Sequence, residues 1–186
     1  MVNEINATPA HQLQAEIEWA ISVINARFNS YFSDEATPFS VDMIYPPKHH
    51  EPTVLKTFID DFQWTPAERI VIALAIIPHV QPNILDVFFT KNNSYDRGYT
   101  EFGGIKGQYF SGFLPTGETA LFVLAANDLA MRQDFLYMFS EDHPFAKNQV
   151  LWLDNPHASE PFLSGMITLS DEYIDLLVLS LIHISE

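Results

Sequence analysis

Seven histidines, His11, His49, His50, His79, His143, His157 and His183, are the side chains best suited to holding a metal or moving a proton in this sequence. Their spacing argues against a metal. There is no H-E-x-x-H and no other paired ligand spacing on an expected helix, and without any Cys a thiolate zinc site is excluded. The lack of Cys also removes a cysteine nucleophile and a disulfide framework, which fits a reducing cytosol. For hydrolysis, Ser111-Gly112 and Ser164-Gly165 lack the first glycine of G-x-S-x-G, so no nucleophile elbow is present. Paired acids such as Asp60-Asp61 and Asp171-Glu172 are sequence neighbours and face different sides of a helix, which suits solvated surfaces or helix caps. No residue is assigned a catalytic, cofactor-binding or metal-binding role.

The glycines are distributed unevenly. Six of the seven (Gly98, Gly103, Gly104, Gly107, Gly112 and Gly117) lie between positions 98 and 117, among Tyr99, Phe102, Tyr109, Phe110 and Phe113. Backbone of that composition turns sharply or approaches something closely. It is not a phosphate cradle: G-x-x-x-x-G-K-[ST] is missing, and Gly103-Gly104-Ile105-Lys106-Gly107 has the wrong spacing for G-x-G-x-x-G. With Arg97 and Lys106 offset by Glu101 and Glu118, the segment is close to neutral. It reads as an aromatic-packed loop between helices or as a partner-binding loop. Glu101, Phe102, Gly103 and Gly104 are the candidate contact residues, with Tyr99, Tyr109, Phe110 and Phe113 available for presentation beside them.

Composition sets the outer limits. A chain of 186 residues and 21.2 kDa, 47% hydrophobic and 18% charged, suits one ordinary domain, or two small ones sharing a core, with enough apolar mass to collapse. Nine Lys and Arg against 24 Asp and Glu give a net charge of -15, which repels phosphate polymers and anionic lipid. Beyond Lys147 there is no basic residue, while six acids follow it. Nucleic acid is therefore not an expected partner. Nor is a membrane, because no apolar run reaches the roughly 18 residues of a span. The start, Met1-Val2-Asn3-Glu4, also lacks the order of a secretory signal. A cytoplasmic location is expected.

These loops and caps need elements to carry them. Leu13, Ile17, Ala20, Ile21, Ile24 and Phe28 recur at helical spacing, so residues 8–32 read as an amphipathic helix. Pro38, Pro46, Pro47 and Pro52 make 34–53 an extended strap that separates this helix from the rest. A short helix over 54–62 comes next. Thr65-Pro66-Ala67-Glu68 then opens a helix that is apolar nearly all round over 68–77 and is expected to end at Pro78. A further helix over 83–90 would complete a trio compatible with a helix-turn-helix core. Thr116 and Asp128 cap two successive helices, through Ala126 and about Phe139. The apolar runs 150–153 and 166–169 suit a hairpin, or wing, and Ser170-Asp171-Glu172 starts a last helix.

Several stretches resemble a family of bacterial AAA-type ATPases. The longest runs from Thr100-Glu101-Phe102-Gly103-Gly104 through Gly107 to Gly112-Phe113-Leu114-Pro115-Thr116-Gly117-Glu118-Thr119-Ala120-Leu121-Phe122-Val123-Leu124-Ala125. Ala75-Ile76-Ile77-Pro78-His79 with Leu85-Asp86 agrees, as does Glu160-Pro161-Phe162-Leu163-Ser164-Gly165 leading to Leu169-Ser170-Asp171-Glu172-Tyr173. They are similar to the winged-helix-type domain those proteins carry ahead of the ATPase core. The resemblance implies that the core, with its Walker lysine, acidic box and arginine finger, follows the last helix and lies outside this sequence. ATP and Mg belong to the parent, which by the same likeness works as an oligomeric ring. The end, Ser180-Leu181-Ile182-His183-Ile184-Ser185-Glu186, resembles a translated sequencing adapter.

The expected fold class is mainly α with a small β-hairpin (α+β), a winged-helix-like helical domain. Its parts are an amphipathic helix over 1–33, a Pro-rich strap over 34–53, the winged-helix-like domain over 54–179 and a non-native tail over 180–186. The expected function is non-catalytic: recognition and regulation in an AAA-family ATPase, with a protein client or the cognate ATPase core as partner. The alternative is a DNA-binding winged helix.

Overall fold

The computed structural model describes residues 8–35, 37–154 and 157–179, so the tail expected over 180–186 lies outside the described residues. The fold is mainly helical, with two small antiparallel strand pairs. Helix α1 (Pro9–Phe32) opens with Pro9 in its first turn and the Thr8 hydroxyl accepting from the His11 amide. It buries the stripe Leu13, Ile17, Ala20, Val23 and Ile24. That stripe packs on α3 (Pro66–Val80), and α1 also touches α2 (Val54–Phe62) and α4 (Gly117–Ala125). One continuous apolar core joins these helices.

Helix α3 begins as its sequence dictates. Thr65 and Glu68 exchange hydrogen bonds in a capping box, with Glu68 N to Thr65 Oγ1 at 3.3 Å and Thr65 N to Glu68 Oε2 at 3.1 Å. Every residue from Ile70 to Ile77 is buried, which explains a helix with no polar face. Its end differs from expectation: Pro78 lies inside the helix, which runs on to Val80. A proline inside a helix removes its own amide bond and crowds the carbonyl four residues back, a local penalty that need not stop the chain from continuing helical. The Gln81 amide still donates to the Ile77 carbonyl at 2.9 Å, so the last turn closes around the loss. The next helix, Pro82–Phe89, is of the 3-10 type. Its buried residues Leu85 and Phe88 are three apart, which matches three residues per turn and puts both on one face.

Within the strap, residues 37–53 hold no regular element apart from a single 3-10 turn at Val41–Met43 and lie against α1. A buried carboxylate holds it there. Glu16 of α1 takes the Arg69 guanidinium, with Nε at 3.2 Å, and His49 Nε2 at 2.8 Å, while Arg69 also donates to the Pro47 carbonyl at 2.9 Å. Trp19 Nε1 donates to the Ile44 carbonyl at 2.9 Å.

The expected hairpin is present as β3 (Leu151–Leu153) and β4 (Ile167–Leu169), with Leu151 opposite Leu169 and Leu153 opposite Ile167. A second pair, β1 (Lys91–Asn92) with β2 (Arg97–Gly98), was not expected from the sequence. Its turn is local, the Asn92 side chain accepting from the Ser94 amide at 2.9 Å. Helix α4 leads through 126–128 into α5 (Leu129–Leu136), capped by Asp128 and without a buried residue. A short α6 (Pro144–Lys147) precedes β3, and α7 (Asp171–Leu177) follows β4 with Ser170 as its cap. Among the described residues no single helix is long and apolar enough to cross a membrane.

Candidate functional site

The glycine-rich segment is attached to the rest of the molecule in two ways. Its aromatic ring Phe102 is 1% exposed and sits among Phe28, Phe122 and Tyr99, with ring centroids 5.0, 4.7 and 4.8 Å away. Phe113, 4% exposed, stacks on Phe88. Phe102 and Phe113 are therefore not presented to a partner: both rings are core, Phe102 in a socket of Phe28 from α1 and Phe122 from α4, and Phe113 against Phe88 and Phe89 of the 3-10 helix. Tyr109, at 94%, and Phe110, at 37%, remain accessible.

The second attachment is backbone. Gly103 and Gly104 adopt φ of +61° and +87°, in the region that favours glycine. A Cβ on Gly103 would come within 2.3 Å of Thr116 Oγ1, and one on Gly104 within 2.3 Å of the Phe113 ring. The close approach lets the Gly104 amide donate to Thr116 Oγ1 at 3.1 Å, while Thr119 Oγ1 donates to the Phe102 carbonyl at 2.7 Å and accepts from the Thr116 amide. The loop thus closes over the start of α4. Pro115–Gly117 also lies beside β4, with Ile167 N to Pro115 O at 2.9 Å and Gly117 N to Gly165 O at 3.1 Å.

This arrangement leaves a groove of about 810 Å³. Arg97, Gly98, Tyr99, Thr100 and Glu101 form one wall, Gly103, Gly104, Thr116 and Glu118 the floor beside α4, and Pro161, Leu163 and Ser164 the far side. Of the four candidate contact residues, Glu101, Gly103 and Gly104 are brought together here and Phe102 turns into the core.

Both carboxylates of the groove are already engaged. Glu101 accepts from the Tyr31 hydroxyl at 2.9 Å. Burial raises the Tyr31 hydroxyl above its ordinary pKa of 10.0, and the bond to Glu101 adds to the rise because it favours the neutral phenol. Both Glu118 oxygens accept from the one nitrogen Nη2 of Arg132 on α5, at 2.8 and 2.9 Å, a charge-assisted pair that ties α5 to α4. The Arg97 guanidinium lines the groove without a hydrogen-bond or ion-pair partner among the described residues.

Tyr31, Arg132, Leu163 and the β1–β2 pair were not foreseen as parts of this site. Tyr31 is 70 residues from Glu101, and nothing local to either residue encodes that pairing. The 160–165 stretch had a signal, since it belongs to the family resemblance. Among the described residues no group of three or more His, Asp or Glu is placed to hold a metal ion. His143, 1% exposed, uses both ring nitrogens: Nδ1 accepts from the Phe145 amide at 3.0 Å and Nε2 lies 3.2 Å from Glu68 Oε1. It is a structural clasp between α3 and α6. No family model, no curated protein and no solved structure matches the chain.

Proposed function

We propose that this chain is a non-catalytic recognition and regulatory domain that docks a protein on the groove beside Gly103 and Gly104. In this reading it serves a cytoplasmic, bacterial AAA-type ATPase, and the docked protein is a client or the cognate ATPase core. One observation carries the reading. Thr100, Glu101, Gly103 and Gly104, then Thr116 and Glu118, then Pro161, Leu163 and Ser164, distant in sequence and all within the stretches that resemble the region ahead of the AAA core, line a single groove. Its chemistry suits contact rather than turnover: glycine backbone, Pro161 and Leu163 supply shape, Glu101 and Glu118 are tied to Tyr31 and Arg132, and Arg97 is left to pair with a partner.

The test begins with the gene, where a G-x-x-x-x-G-K-[ST] sequence downstream supplies the ATPase core to be mixed with this domain. Gly98 has open space around an added Cβ, so G98W obstructs the groove without disturbing the core. Wild type is expected to bind the core and change its ATPase rate, with G98W and R97E weakening binding about tenfold. Equal binding and equal rates for all three proteins would sink the proposal.

A DNA-binding winged helix is the second reading, favoured by two successive helices, α4 and α5, followed after α6 by the β3–β4 hairpin. The charge disfavours it. Arg132, the one cation on α5, is engaged by Glu118, and Asp134 lies on the same helix. This reading requires duplex affinity that falls steeply with salt, and no binding at low salt dismisses it.

A further inference from the structure

A second cleft, of about 340 Å³, opens between α3, β4 and α7. Its lining is largely apolar, with Leu114 from the glycine-rich segment, Ile167 and Leu169 from β4, and Ile174 from α7. A cleft of that size admits one ring with a short arm. Phe110 stands beside it on a tightly folded loop. A Cβ on Gly112 would meet the Phe110 ring at 2.5 Å, and one on Gly107 would meet the Phe110 carbonyl at 2.9 Å. The two glycines therefore hold this half-exposed ring at the cleft.

Two exposed titratable residues complete the lining, His79 near the end of α3 and Asp171 in the first turn of α7. Neither side chain has a hydrogen-bond or ion-pair partner among the described residues. Although part of the His79 ring meets solvent, its partial burial at the cleft lowers its pKa from 6.5 and favours the neutral imidazole, which leaves Asp171 as the acidic group of the lining. A net charge of -15 draws cations toward this surface.

We propose that this cleft binds a small amphipathic amine, its apolar body over Leu114 and Ile174 and its ammonium group on the Asp171 carboxylate. The inference goes beyond the docking reading and is separable from it, because the two sites share no charged residue. Three probes with the same ring test it: 2-phenylethylamine, 2-phenylethanol and phenylacetate, each titrated into 15N-labelled protein. The amine is expected to give saturable amide shifts at Leu114, Ile167, Thr168 and Ile174, with phenylacetate binding at least about tenfold more weakly. D171N is expected to bring the amine down to the affinity of the alcohol, and added salt to weaken the amine but not the alcohol. The proposal is overturned by the absence of saturation with the amine at about 10 mM, by amine and phenylacetate binding alike, or by unchanged amine affinity in a folded D171N.

Discussion

Arg27 of α1 donates from Nε to the carbonyl of Val123, 96 residues further along the chain, at 2.9 Å. Its Nη2 reaches the Leu124 carbonyl at 3.0 Å and the Phe39 carbonyl at 3.2 Å, and the guanidinium lies over the Phe39 ring. This buried cation is 4% exposed and makes no hydrogen bond or ion pair to a carboxylate among the described residues. The carbonyl end of α4, negative by the alignment of its peptide dipoles, is its counter-charge. Arg27 thereby joins α1, the strap and α4 in one contact.

Replacing Arg27 with Met keeps most of the side-chain volume and removes every donor. The Val123 and Leu124 carbonyls then lose their partners, at a cost of about 2–3 kcal/mol. Urea unfolding of R27M checks this as a lower midpoint at unchanged slope. Wild-type stability would show that water replaces the guanidinium without loss.

Glu16 is the hinge of the strap. E16Q leaves Arg69 and His49 facing a neutral amide, and breaking such a buried pair costs about 3–5 kcal/mol. The strap should also loosen, since Arg69 holds it through the Pro47 carbonyl. Limited proteolysis is expected to cut within 34–53 in E16Q well before it cuts the wild type.

Two glycines of the same segment should behave in opposite ways. G103A forces a Cβ to 2.3 Å from Thr116 Oγ1 at a φ of +61°, so a loss of about 2 kcal/mol or more is expected. G98A meets nothing within 4 Å and should fall within about 0.5 kcal/mol of wild type. Thermal unfolding of the two variants side by side decides the matter.

The Tyr31–Glu101 bond makes stability sensitive to alkali. The folded pKa of Tyr31 is raised above 10.0, so the stability linked to its proton is complete below pH 10 and is lost as pH rises through the folded value. E101Q removes the second cause of the rise and leaves burial, the first. Tyr31 should therefore titrate earlier in E101Q but still above 10.0, followed through its ring resonances in an alkaline titration.

Local chemistry alone was enough to place most of the helices. Thr65 with Glu68, Asp128 and Ser170 each carry a cap within three residues of the amide they serve, and the stripe from Leu13 to Ile24 repeats at the helical period. The β3–β4 hairpin was equally local, since its apolar runs are bounded by turn residues. Pro78 misled because its penalty, one lost hydrogen bond and crowding of the preceding turn, is local, while the burial of Ile70 to Ile77 that sustains α3 is set by other elements. The site needed the tertiary structure. Which aromatic of the glycine-rich segment is core and which is surface depends on whether α1 and α4 lie behind it, and Phe102 and Tyr109 look alike in sequence. The fates of Glu101 and Glu118 were hidden for the same reason: Glu101 accepts from the Tyr31 hydroxyl and Glu118 pairs with Arg132, each on another element, and such pairings arise only when the core brings the elements together.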